Sequence, residues 1–283
     1  MSIKYDNTVI ALEGSDYVPV LMNENVYFGG SQMWFPANHK FGTDYILHHY
    51  GCGTIACADL FLYLALQDDS QRTLLTEIAL QGIDSVYYID YMSYVRKVND
   101  LYTKTKRWLA VLGTKLAAAI NDYSEAYHIG YYAKWKLGLS YYDMYEIMEE
   151  MLDHNIPVIL SIGPNTPKLW GKNGISFYQQ YKKIILLESS DFQPDVNKKD
   201  TNVTESSEEI YYEPITVYAY KEVKKDINSH YVTVTGIIKD EIDSTIMLCI
   251  SSWGKKYYIN YEEYRNYIEE NSGTYTSSLV YIK

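Results

Sequence analysis

A cysteine stands between two glycines, Gly51-Cys52-Gly53, immediately ahead of the apolar run Ile55-Ala56-Cys57-Ala58-Asp59-Leu60-Phe61-Leu62-Tyr63-Leu64-Ala65-Leu66. Ala and Leu are strong helix formers, so the run predicts a buried helix that opens at the cysteine. The first N–H groups of a helix lack intrahelical partners, and the helix dipole is positive there. Both favour a thiolate, so the expectation is a lowered Cys52 pKa and a sulfur that is nucleophilic near neutral pH. The flanking glycines let another backbone or a substrate approach closely. A base is within reach of the same argument. His230 opens the β-branched run His230–Ile237, and Ser251-Ser252-Trp253-Gly254 closes the run that returns from Thr245. Residues at the open end of a hairpin are neighbours. That brings His230 and Ser251 together, with Trp253 able to cover them from water.

The elements that must position these groups follow from periodicity. Residues 1–35 alternate in short extended runs at Thr8–Leu12, Val18–Leu21 and Val26–Phe28. Gly29-Gly30-Ser31-Gln32-Met33-Trp34-Phe35-Pro36 leads into a polar and aromatic connection up to Tyr50. From Thr54 to Asn155 the spacing is helical: a short helix over Thr73–Leu80, then Val86–Leu101 after a cap at Asp84-Ser85, Thr105–Tyr127, and Tyr141–His154 capped by Ser140. Strands follow at Ile156–Gly163 and Lys183–Leu187. The polar stretch 189–209 reads as an exposed, mobile loop. Strands at Ile215–Tyr220, His230–Ile237, Thr245–Ser251, Lys256–Ile259 and Ser278–Ile282, with a helix over Tyr261–Glu270, complete the chain. Strands first, helices in the middle and an antiparallel sheet at the end make an α+β fold. It is read as a single two-lobed domain over 1–283: a helical lobe of about 50–155 packed against a β lobe of about 1–35 and 156–283.

Composition excludes several functions. The formal net charge of −11 opposes binding to nucleic acid, which needs clustered Lys and Arg. Lys104-Thr105-Lys106-Arg107 and Lys182-Lys183 are too short for that and read as solvated surface. No apolar run approaches a membrane span, and Met1-Ser2-Ile3-Lys4-Tyr5-Asp6 is no secretory signal, so a soluble, cytoplasmic protein is expected. Cys52, Cys57 and Cys249 are too few and too scattered for a disulfide framework or a zinc site, and Cys57 and Cys249 read as core. No phosphate loop, dinucleotide fingerprint, zinc-protease helix, calcium loop or serine elbow occurs. Neither cofactor nor metal is expected.

The order of a cysteine-headed helix, a histidine-headed strand and a strand ending in Ser-Trp-Gly resembles the papain-like cysteine peptidase superfamily. Gly51-Cys52-Gly53 with its Ala/Leu helix is more similar to the bacterial double-glycine leader peptidases. Gly29–Phe35 with Gly-Cys-Gly and Ala58–Leu64 resembles papain-like proteins of Gram-positive gut bacteria. The resemblance runs through scattered motifs from about Gly29 to the C-terminus. It implies that Cys52 is the nucleophile, that His230 is the general base, and that the Cys52 N–H is one oxyanion donor. The family's second donor is a glutamine a few residues before the cysteine. Here Ile46, Leu47 and His48 stand there, leaving Gln32 as the substitute and His48 and His49 as rivals. The family's third member is an Asn before Ser-Trp-Gly, or an Asp; Ser251 holds that position, and Asp240 and Asp243 lie at the far end of the hairpin. The implied activity is hydrolysis or acyl transfer at a peptide or amide bond, with a peptide or protein as substrate. A papain-like shell that binds without catalysis, and amide or γ-glutamyl transfer on a small molecule, stand beside it. Oligomeric state leaves no mark on the sequence.

Overall fold

A central strand organises the molecule. The computed structural model describes residues 8–14, 16–39, 42–81, 86–163, 174–188, 212–240, 244–272 and 278–283. The stretch 189–209, the Asp84-Ser85 cap and Asp243 lie outside the described residues. The elements are β1 (Thr8–Ala11), β2 (Pro19–Met22), β3 (Asn25–Phe28), α1 (Thr43–Tyr50), α2 (Cys52–Gln67), α3 (Glu77–Leu80), β4 (Val86–Tyr87), α4 (Tyr88–Val98), α5 (Gly113–Tyr127), β5 (Ala133–Leu137), α6 (Tyr141–Asp153), β6 (Val158–Ile162), β7 (Ile175–Glu188), β8 (Tyr212–Ile227), β9 (His230–Lys239), β10 (Ile246–Ser252), β11 (Lys255–Asn260), α7 (Tyr261–Ser272) and β12 (Ser278–Ile282). This is a mixed α+β fold. Among the described residues it has seven α-helices, a large antiparallel sheet and a small three-stranded sheet.

The large sheet runs β5-β12-β6-β9-β10-β11-β7-β8, with β1 added to β9. One edge of β9 is shared: β6 pairs with His230–Val234 and β1 with Gly236–Lys239. Its other edge pairs with β10. Strand β9 is buried from His230 through Ile237. Its β-branched residues therefore fill both faces, as expected of a sheet centre. Helix α2 packs on it and is itself buried from Cys52 to Ala65. Such a helix, apolar on every side, belongs at the core of the molecule.

Helices α1 and α2 meet at 92°. Gly51 makes the elbow: its N–H closes α1 on the Leu47 carbonyl at 2.9 Å, and its carbonyl accepts the first α2 bond from Ile55 at 2.9 Å. A Cβ on Gly51 would lie 2.3 Å from the Leu47 oxygen, so a larger residue would force the elbow open. The sharp bend leaves the first N–H groups of α2 facing away from α1 rather than continuing its hydrogen-bond ladder. No single helix among the described residues is long and apolar enough to cross a membrane.

Three expectations need correction. The connection before Tyr50 contains α1, whose polar, histidine-rich sequence buries Leu47 alone. The stretch expected to be helical from Thr54 to Asn155 holds two strands, β4 and β5. The latter, Ala133-Lys134-Trp135-Lys136-Leu137, has the two-residue alternation of a strand and pairs with β12. The helix expected from Thr105 begins at Gly113, because Trp108 and Ala110 take φ values of +68° and +52°, which a right-handed helix does not allow. Ser140 caps α6 as expected, accepting from the Asp143 N–H at 3.1 Å.

Candidate active site

Helix α2 presents Cys52, Ile55, Ala56 and Asp59 on one stripe, the i, i+3, i+4, i+7 face of a helix. These residues form one wall of a cavity of about 20 Å³, room for one water molecule. The opposite wall is the start of β9 (His230 to Thr233) and the end of β10 (Ser251, Ser252, Trp253), and Gly30 and Gln32 complete the lining. Four residues named from the sequence, Cys52, His230, Ser251 and Gln32, thus share one cavity. Their segments are brought together by the packing of α2 on β9 and by the β9–β10 pairing.

His230 is 9% exposed. Its Nε2 is 2.8 Å from the Ser252 hydroxyl. The indole of Trp253 stacks on the imidazole, with ring centroids 4.4 Å apart and planes 16° apart. Trp253 and Gly254 form the two-residue turn between β10 and β11 and have φ values of +49° and +74°. Positive φ at both central residues is the type I′ geometry that matches strand twist. Glycine tolerates it freely; tryptophan does so at a cost in backbone strain. The strained turn folds the indole over the imidazole. The Lys224 ammonium lies 4.8 Å from the centre of the same indole. Burial, helped by the Lys224 charge, pulls the His230 pKa down to about 3. The imidazole is therefore neutral at physiological pH, and Nδ1 has no hydrogen-bond partner among the described residues.

Cys52 is the first residue of α2, as expected, but its thiol is not acidic. Burial pushes its pKa up, against the pull of the Tyr231 and Gly53 N–H groups and its own. The helix-terminal donors are present, but the cost of burying a charged sulfur outweighs them. The resting site therefore pairs a neutral thiol with a neutral imidazole. No hydrogen bond joins the two among the described residues.

The hydroxyl beside His230 belongs to Ser252. Ser251 donates instead to the Phe28 carbonyl at 2.8 Å. Successive residues of a strand point to opposite faces, and β10 carries a bulge between Cys249 and Ile250 that shifts its register against β9. Counted from the Lys239–Ile246 end of the hairpin without the bulge, Ser251 would pair with Val234 and share the His230 face; the bulge pairs it with Thr233 instead and gives that face to Ser252.

Gln32 opens a short 3₁₀ turn over Gln32–Trp34. One N–H of its Nε2 donates to the His48 carbonyl at 2.9 Å, which leaves the second N–H of that amide for another acceptor. Its Oε1 is buried with no partner. Neither His48 nor His49 lines the cavity; the His48 Nδ1 lies 2.7 Å from the Phe35 carbonyl. Asp240 follows β9 at the end opposite His230.

Asp59 was not singled out by sequence. It is the one charged side chain in the apolar helix, two turns from Cys52, and that spacing was the available signal. It is 1% exposed. Its Oδ2 accepts from the Gly30 N–H at 2.9 Å and its Oδ1 from the Tyr91 hydroxyl at 2.6 Å. Burial lifts its pKa to about 7, although both hydrogen bonds oppose the shift.

Comparison with known proteins finds no matching family model, no matching curated protein and no matching solved structure.

Proposed function

We propose that this protein is a cysteine peptidase-like hydrolase or acyl-transfer enzyme with a papain-like site, acting on a peptide or amide bond. The observation that carries the reading is the shared cavity of Cys52 and His230. A helix-terminal thiol and a strand-borne imidazole line it together, with the imidazole's Nε2 engaged by Ser252 and its face covered by Trp253. The papain-like fold assignment rests on the same order of parts: cysteine helix, histidine strand, and a partner strand ending in Ser-Ser-Trp.

In this reading the Nε2–H of His230 donates to Ser252 and Nδ1 is the base. As the Cys52 sulfur attacks the carbonyl carbon, its proton passes to Nδ1 and a C–S bond forms. The carbonyl electrons move onto oxygen, where the Cys52 N–H and the second Gln32 N–H stabilise them. Collapse breaks the C–N bond, and the imidazolium returns the proton to the departing amine. A water, or an acceptor amine, then gives its proton to His230 and attacks the thioester, which regenerates the thiol. Starting from neutral thiol and imidazole, no ion pair has to persist in the buried cavity; charge separates only as the substrate arrives.

A second reading, a papain-like binding protein without catalysis, is favoured by the size of the cavity and by the raised thiol pKa. The two are separated by incubating the protein with a peptide library and a Cys52→Ala control, with products read by mass spectrometry. Cleaved or amine-transferred peptides that vanish in the control support the enzyme. Identical product profiles from both proteins support the binding protein.

A further inference from the structure

Gly30 and Gln32 line the cavity, and the backbone that leads to Gln32 from Phe28 is held at several of its polar groups. The Phe28 N–H donates to the Gly254 carbonyl at 3.0 Å and the Gly29 N–H to Val18 at 2.8 Å; the Gly30 carbonyl accepts from Gly254 at 2.8 Å. The Phe28 carbonyl accepts from Ser251. The Gly30 N–H is buried and donates to Asp59. All the other bonds in this set tie the segment to the β2–β3 region or to the β10–β11 turn. The Asp59 bond is the one that ties it to the helix bearing the cysteine. Space is tight on the same line. A Cβ on Gly29 would lie 2.7 Å from Asp59 Oδ2, and one on Gly30 would lie 1.7 Å from the Tyr91 oxygen. Tyr91 in turn is packed edge-on against Trp34, at 5.7 Å between centroids and 82° between planes. Trp34 closes the turn that begins at Gln32.

We propose that Asp59 is a positioning residue: its carboxylate, bridging the Gly30 N–H and the Tyr91 hydroxyl, sets the distance between the Gln32 amide and the Cys52 sulfur. The consequence for acyl chemistry rests on the proposed function; the tether itself does not. The chemistry suits the task. A carboxylate offers acceptors on two oxygens in fixed geometry, and here each oxygen takes one donor from a different segment. A carboxamide can do the same, because its oxygen accepts from Gly30 while its NH₂ donates to the tyrosine oxygen. An alanine can do neither.

The test compares Asp59→Ala, Asp59→Asn, Gln32→Ala and the Asp59→Ala/Gln32→Ala double variant. Three readouts are used: hydrogen exchange of the Gly30 amide, acylation of Cys52 by p-nitrophenyl acetate, and alkylation of Cys52 by iodoacetamide. Acylation passes through an oxyanion and alkylation does not. The expected result is that Asp59→Ala speeds Gly30 exchange at least tenfold and slows acylation about as much as Gln32→Ala, while alkylation changes by less than twofold. The double variant is expected to be no slower than Gln32→Ala, and Asp59→Asn to restore slow Gly30 exchange and most of the acylation rate. Unchanged Gly30 exchange in a folded Asp59→Ala protein, or losses that multiply in the double variant, would overturn the proposal. If Asp59→Ala does not fold, Asp59→Asn decides: fast Gly30 exchange in that variant refutes the tether. A wild-type protein that p-nitrophenyl acetate does not acylate sinks the enzymatic reading and leaves the tether to be judged on Gly30 exchange.

Discussion

Ser252→Ala removes one hydrogen bond from the imidazole and nothing else of size. Ser252 is 6% exposed and its oxygen lies 2.8 Å from His230 Nε2. In the variant that nitrogen keeps its proton and loses its acceptor, in a cavity with room for about one water. A buried polar group left unpaired costs about 1–3 kcal/mol. The loss falls mainly on the transition state, because a bond from the imidazolium that forms there is charge-assisted and stronger than one from neutral imidazole. At about 1.36 kcal/mol per tenfold, alkylation of Cys52 by iodoacetamide should slow by roughly 5- to 150-fold. The assay is the pseudo-first-order rate at pH 7, with the adduct mapped to Cys52 by mass spectrometry. Ser251→Ala is the control. It loses a bond to the Phe28 carbonyl, a structural loss of about 1 kcal/mol, and should leave alkylation within about twofold. A Ser252→Ala rate within twofold of wild type, or a larger loss in Ser251→Ala, would refute the assignment of the imidazole's partner.

Other consequences follow from the same packing. Gly53→Ala puts a Cβ 2.4 Å from Val111 Cγ1 and 3.2 Å from the Tyr231 ring, which should destabilise the fold by about 1–3 kcal/mol and lower the midpoint of thermal unfolding. Trp253→Ala lets water reach His230, so the pKa of that imidazole should rise from about 3 toward its ordinary value; imidazole carbon-bound proton shifts read it directly, and an unmoved titration would show that Trp253 does not shield the ring. The Asp59 carboxyl titrates at about 7 in the fold against 3.8 ordinarily. Between those values the fold keeps the Asp59 proton that the unfolded chain has released, so the Asp59 contribution to stability should fall as pH rises from 4 to 7, by on the order of 4 kcal/mol. His230, held neutral in the fold at a pKa of about 3, contributes a rise of similar size over the same range. Asp59→Asn should therefore turn the nearly level wild-type stability–pH curve into one that rises from pH 4 to 7 in urea unfolding, and a curve unchanged by the substitution would refute the raised Asp59 titration.

What could be read from the sequence was whatever local pattern decides. The apolar run after Cys52 could only be a buried helix, and the β-branched runs at His230 and Thr245 could only be core strands. The helix–strand–strand order then drew the cysteine and the histidine toward one place. What could not be read depends on register and dielectric. The bulge at Cys249/Ile250 leaves no mark in Thr245–Ser252, yet it decides which serine meets the imidazole. The pull of helix-terminal N–H groups on the Cys52 thiol is a local effect, whereas the desolvation that outweighs it comes from burial against segments distant in the chain. Asp59 was visible as a charge in an apolar helix, but its partners Gly30 and Tyr91 are far away in the chain. Helix α1 was missed because eight residues with two histidines and an aspartate carry too little periodicity to declare a helix.

The central claim is that His230 removes the proton from Cys52, and the pH dependence of Cys52 alkylation tests it most directly. With the imidazole titrating at about 3 and the thiol raised by burial, the reactive thiol–imidazole pair is fully populated across the neutral range. The wild-type rate should therefore be flat from about pH 5 to 8. In His230→Ala the sulfur must ionise unaided, and the rate should climb about tenfold per pH unit. A wild-type profile that climbs with the same slope as His230→Ala, or one in which Cys52 reacts no faster than Cys57 and Cys249, would contradict the account.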